Sequence, residues 1–512
     1  MGNDSHSPLD LIPPAVPGDF PSWPRKARTF FYSLQKYIST LLARFQAVIA
    51  DKDATIQTLT ARIHVLEDIV GANSTNSSRP PSSDSPYKNK RETNPHKKEV
   101  SSGSGEKKRK ARHPGAAQQR MTPTETRDHT PTVCPYCGGT HFDNLSLVAL
   151  LQQIELPEHI LQVIHNRVFQ GKCTNCGHKV RGTVPTELLP RYGSRLAAFI
   201  AYIDSQTGTT RRQLEEMLRD VFSLKISQGG LQNIIDRASD ATKPLYEIIG
   251  EGARQSGVNH VDETTWRTHG PIGKSLHWLW VLCNTFLAFF MISAKRDAQS
   301  FHNLIQSWKG ILVSDDYAIY PSWEYGRQTC LAHMIREARY LKDSSNPDAA
   351  SCGKRLVNAF HALFDMEGTP PAQRALDNLR RRFYRLALDY GDLPGKGGNL
   401  VIRIMKEFDA VCLWLRDPQV NRTNNFAERQ IRSAVCKRKI SIGSAALKGE
   451  RWIERNLSLR KTCAMNKVSY YATLEEAIRC SVTGARPRLY WLRKAAKRCY
   501  YTSKLGQASI TG

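Results

Sequence analysis

The chain has 512 residues, 40% of them hydrophobic, and carries 73 Lys and Arg against 47 Asp and Glu, a formal net charge of +26 with a pI near 9.7. That length predicts two to four folded units, and that charge predicts a polyanionic partner, nucleic acid ahead of an anionic membrane surface. No apolar run is long enough to span a membrane and no basic stretch leads into an apolar core at the N-terminus, so neither a spanning helix nor a secretory signal is read.

Residues 25–70 repeat apolar residues every seven positions: Leu42, Ile49, Ile56, Ile63 and Val70 at one, Phe45, Leu59 and Leu66 at another, with Lys52 interrupting. Branched residues at the first position and Leu at the second predict a parallel two-stranded coiled coil, hence a homodimer or higher oligomer. An amphipathic helix packed on its own chain is the alternative. Residues 71–125 are rich in Gly, Asn, Ser, Pro and Lys and read as a disordered basic linker, either a solvated spacer or a non-specific phosphate binder.

Residues 126–190 hold two cysteine knuckles, C-P-Y-C-G with Cys134 and Cys137, and C-T-N-C-G with Cys173 and Cys176. Gly138 and Gly177 permit the left-handed backbone such knuckles use. Four thiolates complete a tetrahedral Zn²⁺ site that leaves no open position, so the ion is expected to be structural. Residues 152–156 and 160–169 read as strands of a small zinc ribbon. The other eight cysteines are expected to be reduced core thiols. Residues 191–255 read as helical, and 210–238 as helix, turn, helix, with Ser227 as cap and Leu231, Ile234 and Ile235 as the buried stripe. Both a DNA-binding helix-turn-helix and an ordinary helix pair fit.

From residue 256 the pattern changes to short apolar strands. G-V-N-H-V-D-E-T-T-W carries Asp262; residues 277–284 and 286–293 follow as strands. Residues 298–310 then have helical spacing, with Gly310 as a stop, and I-L-V-S-D-D-Y is a buried strand ending in acid. This order, with acid on the first and fourth strands, is that of an RNase H-like domain, expected over 256–470. Adjacent strand residues face opposite sides, so only one of Asp262 and Glu263, and one of Asp315 and Asp316, can face a shared site. The residues alone do not choose between them. The third acid is Glu428, on a helix capped by Asn424 or Asn425 and buried along Ile431 and Val435. A helix ion pair with Arg432 is the simpler reading of Glu428. Residues 331–420 read as a helical insertion, and 471–512 as a basic tail region. Three convergent carboxylates suit two Mg²⁺ or Mn²⁺ ions about 4 Å apart for phosphodiester chemistry, with Arg429, Arg432, Lys437, Arg438 and Lys439 holding the DNA backbone.

Several blocks then carry a resemblance: N-S-T-N-S-S-R-P-P-S-S-D, the two knuckles, H-V-D-E-T, G-I-L-V-S-D-D-Y-A-I-Y, C-L-A-H-M-I-R-E, N-N-F-A-E-R-Q-I-R, and K-R-K-I-S-I-G-S through S-L-R-K-T-C-A-M-N. In this order they resemble the insertion-sequence-66 family of bacterial DDE transposases. The resemblance implies Asp262, Asp315 and Glu428 as the catalytic, metal-holding acids. It implies an enzyme that binds the terminal inverted repeats of an insertion sequence, cleaves there and joins the freed ends to target DNA, in the cytoplasm at the nucleoid, with accessory transposition proteins as candidate partners. A nuclease or resolvase without strand transfer and an inactive DNA-binding regulator are the alternatives. The chain departs from the family pattern at Asp316, where Gly is usual, and at Ile440, where the usual Arg-Lys-Asn run ends differently.

Overall fold

The computed structural model describes residues 18–71 and 121–508, apart from 155, 157–159, 177, 271–272, 368–371 and 442. Most of the linker expected over 71–125, and Gly177 of the second knuckle, therefore lie outside the described residues. The chain divides into two compact units, one of residues 1–86, 192–209 and 233–512, the other of 87–191 and 210–232.

Helix α1 (Arg25–Gly71) forms because residues 25–70 contain neither Gly nor Pro. At its start Phe20 packs on Phe31 and Tyr32, ring centroids 5.1 Å apart in each case. The heptad residues Phe45, Ile49, Ile56, Leu59, Ile63 and Leu66 are each 55–61% exposed, so no described element covers that stripe.

In the smaller unit a two-stranded antiparallel ribbon, β1 (Gln170–Lys172) and β2 (Lys179–Arg181), brackets the second knuckle. The strands expected at 152–156 and 160–169 do not form among the described residues. The aliphatic side chains that suggested them, Ile154, Leu156, Val163 and Ile164, are exposed and have no layer to pack against. Helix α3 (Arg211–Phe222) belongs to this unit as well, whereas α2 (Ser194–Thr207) and most of α4 (Gln228–Ala253) belong to the larger one. Thr210 and Gln213 close a capping box on α3, and Ser227 Oγ accepts from Gly230 N at 3.3 Å at the start of α4.

The larger unit holds a mixed five-stranded sheet. Its strands are β3 (Val258–Gly270), β4 (Gly273–Cys283), β5 (Ala288–Ser293), β6 (Ile311–Ser314) and β7 (Arg327–Thr329), in spatial order β5-β4-β3-β6-β7. The first three pair antiparallel, whereas β3–β6 and β6–β7 are parallel. Leu279 through Cys283 are buried without alternation, because both faces of the sheet centre are covered. Between β5 and β6, helix α5 (Ala298–Ile305) is capped by Asp297, whose Oδ1 accepts from Ser300 N at 2.9 Å. It ends before the expected stop, at Gln306 with φ +52°. Gly310 instead permits close approach: a Cβ there would lie 2.5 Å from the Gly257 carbonyl oxygen.

After β7 come five helices, α6 (Leu331–Lys342), α7 (Pro347–Phe364), α8 (Gln373–Tyr390), α9 (Lys396–Lys406) and α10 (Phe408–Arg416). They share one core, including Leu331, Phe360, Phe383, Leu400 and Val411, which reaches Val313 of the sheet. Helix α11 (Asn425–Ile440) and helix α12 (Leu447–Met465) return to the sheet. There Ala427, Ile431, Ala434, Ile453 and Leu457 pack on Trp266, Val281 and Phe290. Helix α12 also closes the free edge. Ala288 N donates to Thr462 Oγ1 (3.2 Å), Phe290 N to Ser458 Oγ (2.9 Å) and Ile292 N to Glu454 Oε1 (2.7 Å). Four helical residues rise about 6 Å and two strand residues about 6.7 Å, so a helix running along an edge can meet every outward N–H. The region read as a basic tail is structured: α13 (Tyr470–Thr483) and α14 (Tyr490–Ala508) bury Leu474, Ile478, Leu492 and Cys499.

Candidate active site

The parallel register of β3 and β6 pairs His260 with Val313. Two residues further along the chain from each stand Asp262, on β3, and Asp315, just past the end of β6, so equal spacing carries both acids to the same end of the strand pair. Asp262 Oδ1 accepts from Glu263 N at 3.0 Å, and Asp315 Oδ1 from Tyr317 N at 3.2 Å. Their neighbours are occupied elsewhere. Glu263 accepts from Arg296 Nε (2.8 Å) and NH2 (2.5 Å) and from Tyr320 Oη (2.6 Å). Asp316 accepts from Thr329 Oγ1 at 2.7 Å and lies 3.3 Å from Arg403 NH2.

Glu428 is brought up by the N-terminus of α11. Asn424 Nδ2 donates to the Val261 carbonyl at 2.7 Å, its Oδ1 lies 3.1 Å from His260 Nδ1, and its backbone N donates to Cys330 Sγ at 3.1 Å. The residue before Asp262 on β3 thus fixes the start of the helix that bears Glu428. Its partner is not Arg432, as the helix ion-pair reading expects, but His333 Nε2 at 3.0 Å, with Arg336 NH2 at 3.9 Å. Both come from α6, which no spacing rule within α11 could indicate.

Electrostatics separate the three acids. Burial raises the Asp262 carboxyl well above its usual range, and the charges of Glu263, Asp315 and Glu428 raise it further. Burial raises Asp315 as well. Glu428 is lowered, first by its hydrogen bond to His333. Among the described residues no Lys or Arg side chain forms an ion pair with Asp262 or Asp315. Two neighbouring half-buried carboxylates that no Lys or Arg bridges are costly unless a cation from outside joins them. An all-oxygen set of this kind fits Mg²⁺ or Mn²⁺.

The basic residues divide. Arg429, Arg432 and Lys439 are exposed. Lys437 and Arg438 are turned into the fold: Lys437 Nζ donates to the Asp204 carbonyl at 2.9 Å, and Arg438 NH1 to Thr264 Oγ1 (2.9 Å) and the Thr265 carbonyl (2.7 Å). Sequence reasoning also missed Asn424 as a clamp on β3, and His333 and Cys330 beside Glu428. The signal for the last two was C-L-A-H, a Cys and a His one helical turn apart.

In each knuckle the two thiols sit together: Cys134 hydrogen-bonds with Cys137, and Cys173 with Cys176, and backbone N–H groups lower the Cys134 and Cys173 thiols. Gly138 takes φ +75°. The four do not form the expected closed set, however. Among the described residues the one group of three metal-type donors within 4.8 Å is Cys330, His333 and Glu428. Neutral thiol pairs have no attraction to draw the knuckles together; in such sites the ion supplies it. Of the eight remaining cysteines seven are buried and Cys436 is exposed.

A family model described as "Transposase IS66 family" matches residues 190–451, and one described as a family of unknown function (DUF6444) matches residues 33–119. The chain is also similar to an uncharacterized protein, y4hP, of Sinorhizobium fredii (strain NBRC 101917 / NGR234). The two are 21% identical over 406 residues, which cover 71% of this chain and 73% of that one.

Proposed function

This chain belongs to the IS66 transposase family, and on that footing we propose that it cleaves phosphodiester bonds at the ends of an insertion sequence and joins the freed 3′ hydroxyls to target DNA. The observation that carries the reading is the Asp262–Asp315 pair, half-buried at the same end of the parallel strands β3 and β6 and bridged by no Lys or Arg among the described residues. The strand order β5-β4-β3-β6-β7, with α5 as the crossover from β5 to β6, supports an RNase H-like core. Asp262, Asp315 and Glu428 would hold two Mg²⁺ or Mn²⁺ ions, which supply Lewis-acid activation of the attacking oxygen and charge stabilisation of the leaving one. The residues of the chain do the rest. His333 keeps Glu428 ionised and oriented, and Asn424 ties the helix bearing it to the strand bearing Asp262. Glu263, neutralised by Arg296 and Tyr320, and Asp316, neutralised by Arg403, are reserved for the frame. The exposed Arg429 and Arg432, with Lys439, hold the phosphate backbone; Lys437 and Arg438 hold α11 to the fold. The exposed stripe of α1 supports pairing of two protomers, and the knuckles Cys134–Cys137 and Cys173–Cys176 support a structural Zn²⁺ that closes when both pairs meet one ion.

Purified protein incubated with DNA bearing the element's ends tests this. Mg²⁺-dependent cleavage and joining should disappear in Asp262→Ala, while binding to the same DNA persists. Undiminished cleavage by that variant would remove Asp262 from the catalytic set.

A further inference from the structure

We propose that Cys330, His333 and Glu428 form a binding site for a Zn²⁺-class ion, separate from the Asp262–Asp315 pair and overlapping it only at Glu428. The three donor atoms all lie within 4.8 Å of one another, with His333 Nε2 3.0 Å from Glu428 Oε1. Tetrahedral zinc with bonds of about 2.0–2.3 Å sets its ligands roughly 3.3–3.6 Å apart, so small adjustments bring all three to one ion.

The site is built by the backbone. Cys330 caps the start of α6 and is fully buried, and His333 stands three residues on, over the same side of the first turn. Cys330 N donates to the Ser314 carbonyl at 2.9 Å, and Leu331 N to the Arg422 carbonyl at 3.0 Å. These bonds fix the cysteine between the strand leading to Asp315 and the segment leading to Glu428. Its Sγ already accepts from Asn424 N, as a coordinated thiolate commonly does.

The ligand chemistry differs from that of the acid pair. A thiol and an imidazole favour Zn²⁺ over Mg²⁺, whereas carboxylates alone favour the reverse. Three protein ligands leave a fourth position open, unlike the closed set expected of the two knuckles. An ion held here draws Glu428 away from the acid pair; that consequence rests on the transposase reading, whereas the site itself does not.

Cobalt(II) is the probe, added to the full chain with Cys134, Cys137, Cys173 and Cys176 replaced by Ser. One equivalent should give the near-ultraviolet thiolate-to-cobalt absorption, lost in a further Cys330→Ser change and formed with at least tenfold weaker affinity in His333→Gln. Should the serine background fail to fold, the wild-type spectrum minus that of His333→Gln carries the same band. No absorption, or absorption indifferent to Cys330→Ser and His333→Gln, overturns the site. Mg²⁺-dependent DNA cleavage, measured on wild-type protein free of cobalt so that no ion holds Glu428 aside, keeps the two readings apart: cleavage without the band removes this site and leaves the transposase reading, and the band without cleavage does the opposite.

Discussion

Asp262 stands where burial and three neighbouring acids all oppose its charge, so its protonation is a stability question as well as a chemical one. Its folded-state pKa lies above the unfolded value, so in the metal-free protein its ionisation costs stability as pH rises through the folded value. Asp262→Asn should therefore raise the melting temperature of the metal-free protein at neutral pH. The same change should abolish the rise that Mg²⁺ produces in the parent. Because the ion displaces protons from raised carboxyls, that rise should be larger at about pH 8 than at about pH 6. His260 has the opposite sign. Burial holds it neutral, with its value lowered to about 4, against about 6.5 in an unfolded chain. Its contribution is complete above the unfolded value and is lost as pH falls towards the folded one, up to about 3 kcal/mol. An NMR titration should find its ring neutral at about pH 5.5; a midpoint near 6.5 would contradict the buried setting. Neither residue's environment was legible in the sequence. Period-two alternation left Asp262 against Glu263 and Asp315 against Asp316 undecided, because the deciding partners, Arg296, Tyr320 and Arg403, lie 33 or more positions away along the chain.

The elements that carry the acids were easier to read than their contacts. Strands β3 to β6 are short aromatic and aliphatic runs bounded by turn residues, so local pattern sufficed for them; α11 does begin at the Asn pair, but the Asn424 side chain makes no helix cap and bonds to β3 instead. What local pattern could not supply was α11's orientation. Three apolar or small positions of α11, Ala427, Ile431 and Ala434, are buried against the sheet, and the basic run therefore divides between solvent and fold. Arg432→Ala should weaken DNA binding with little effect on stability, whereas Arg438→Ala should lower the melting temperature, since it frees Thr264 Oγ1 and the Thr265 carbonyl from their donor. Equal effects of the two on DNA affinity, with no loss of stability in the second, would refute that division. Contact between α6 and α7 depends on Gly353, where a Cβ would lie 2.1 Å from Lys342 N and 2.6 Å from the Leu341 carbonyl carbon. Both are backbone atoms that cannot swing aside. Gly353→Ala should cost about 1–3 kcal/mol, read as an earlier thermal transition. The knuckle region was misread for the converse reason: aliphatic alternation over 152–169 looked like strand, but a strand needs a layer to lie against.

For the molecule as a whole, a net charge of +26 makes DNA affinity strongly dependent on salt, and each lost phosphate contact should shallow the slope of log affinity against log salt by about 1. The proposed pairing through the exposed stripe on α1 is separated in sequence from the proposed site at α11. Ile49→Asp combined with Ile56→Asp should convert a dimer to monomers in sedimentation without lowering the melting temperature of the sheet domain; an unchanged sedimentation coefficient would reassign the stripe. Asn424 closes on Val261 and His260 across more than 160 residues, among them the five helices α6 to α10. During synthesis, then, the strands bearing Asp262 and Asp315 emerge and can pair well before the third acid leaves the ribosome. Closing so long a loop is slow, and the five helices between must first fold and shorten it. A ribosome-bound chain halted before Asn424 holds two acids without their third, and lacks the bond that aligns α11. On the proposed transposase reading, the catalytic set is therefore completed late in this protein's biogenesis, once α11 has been made and tied to β3.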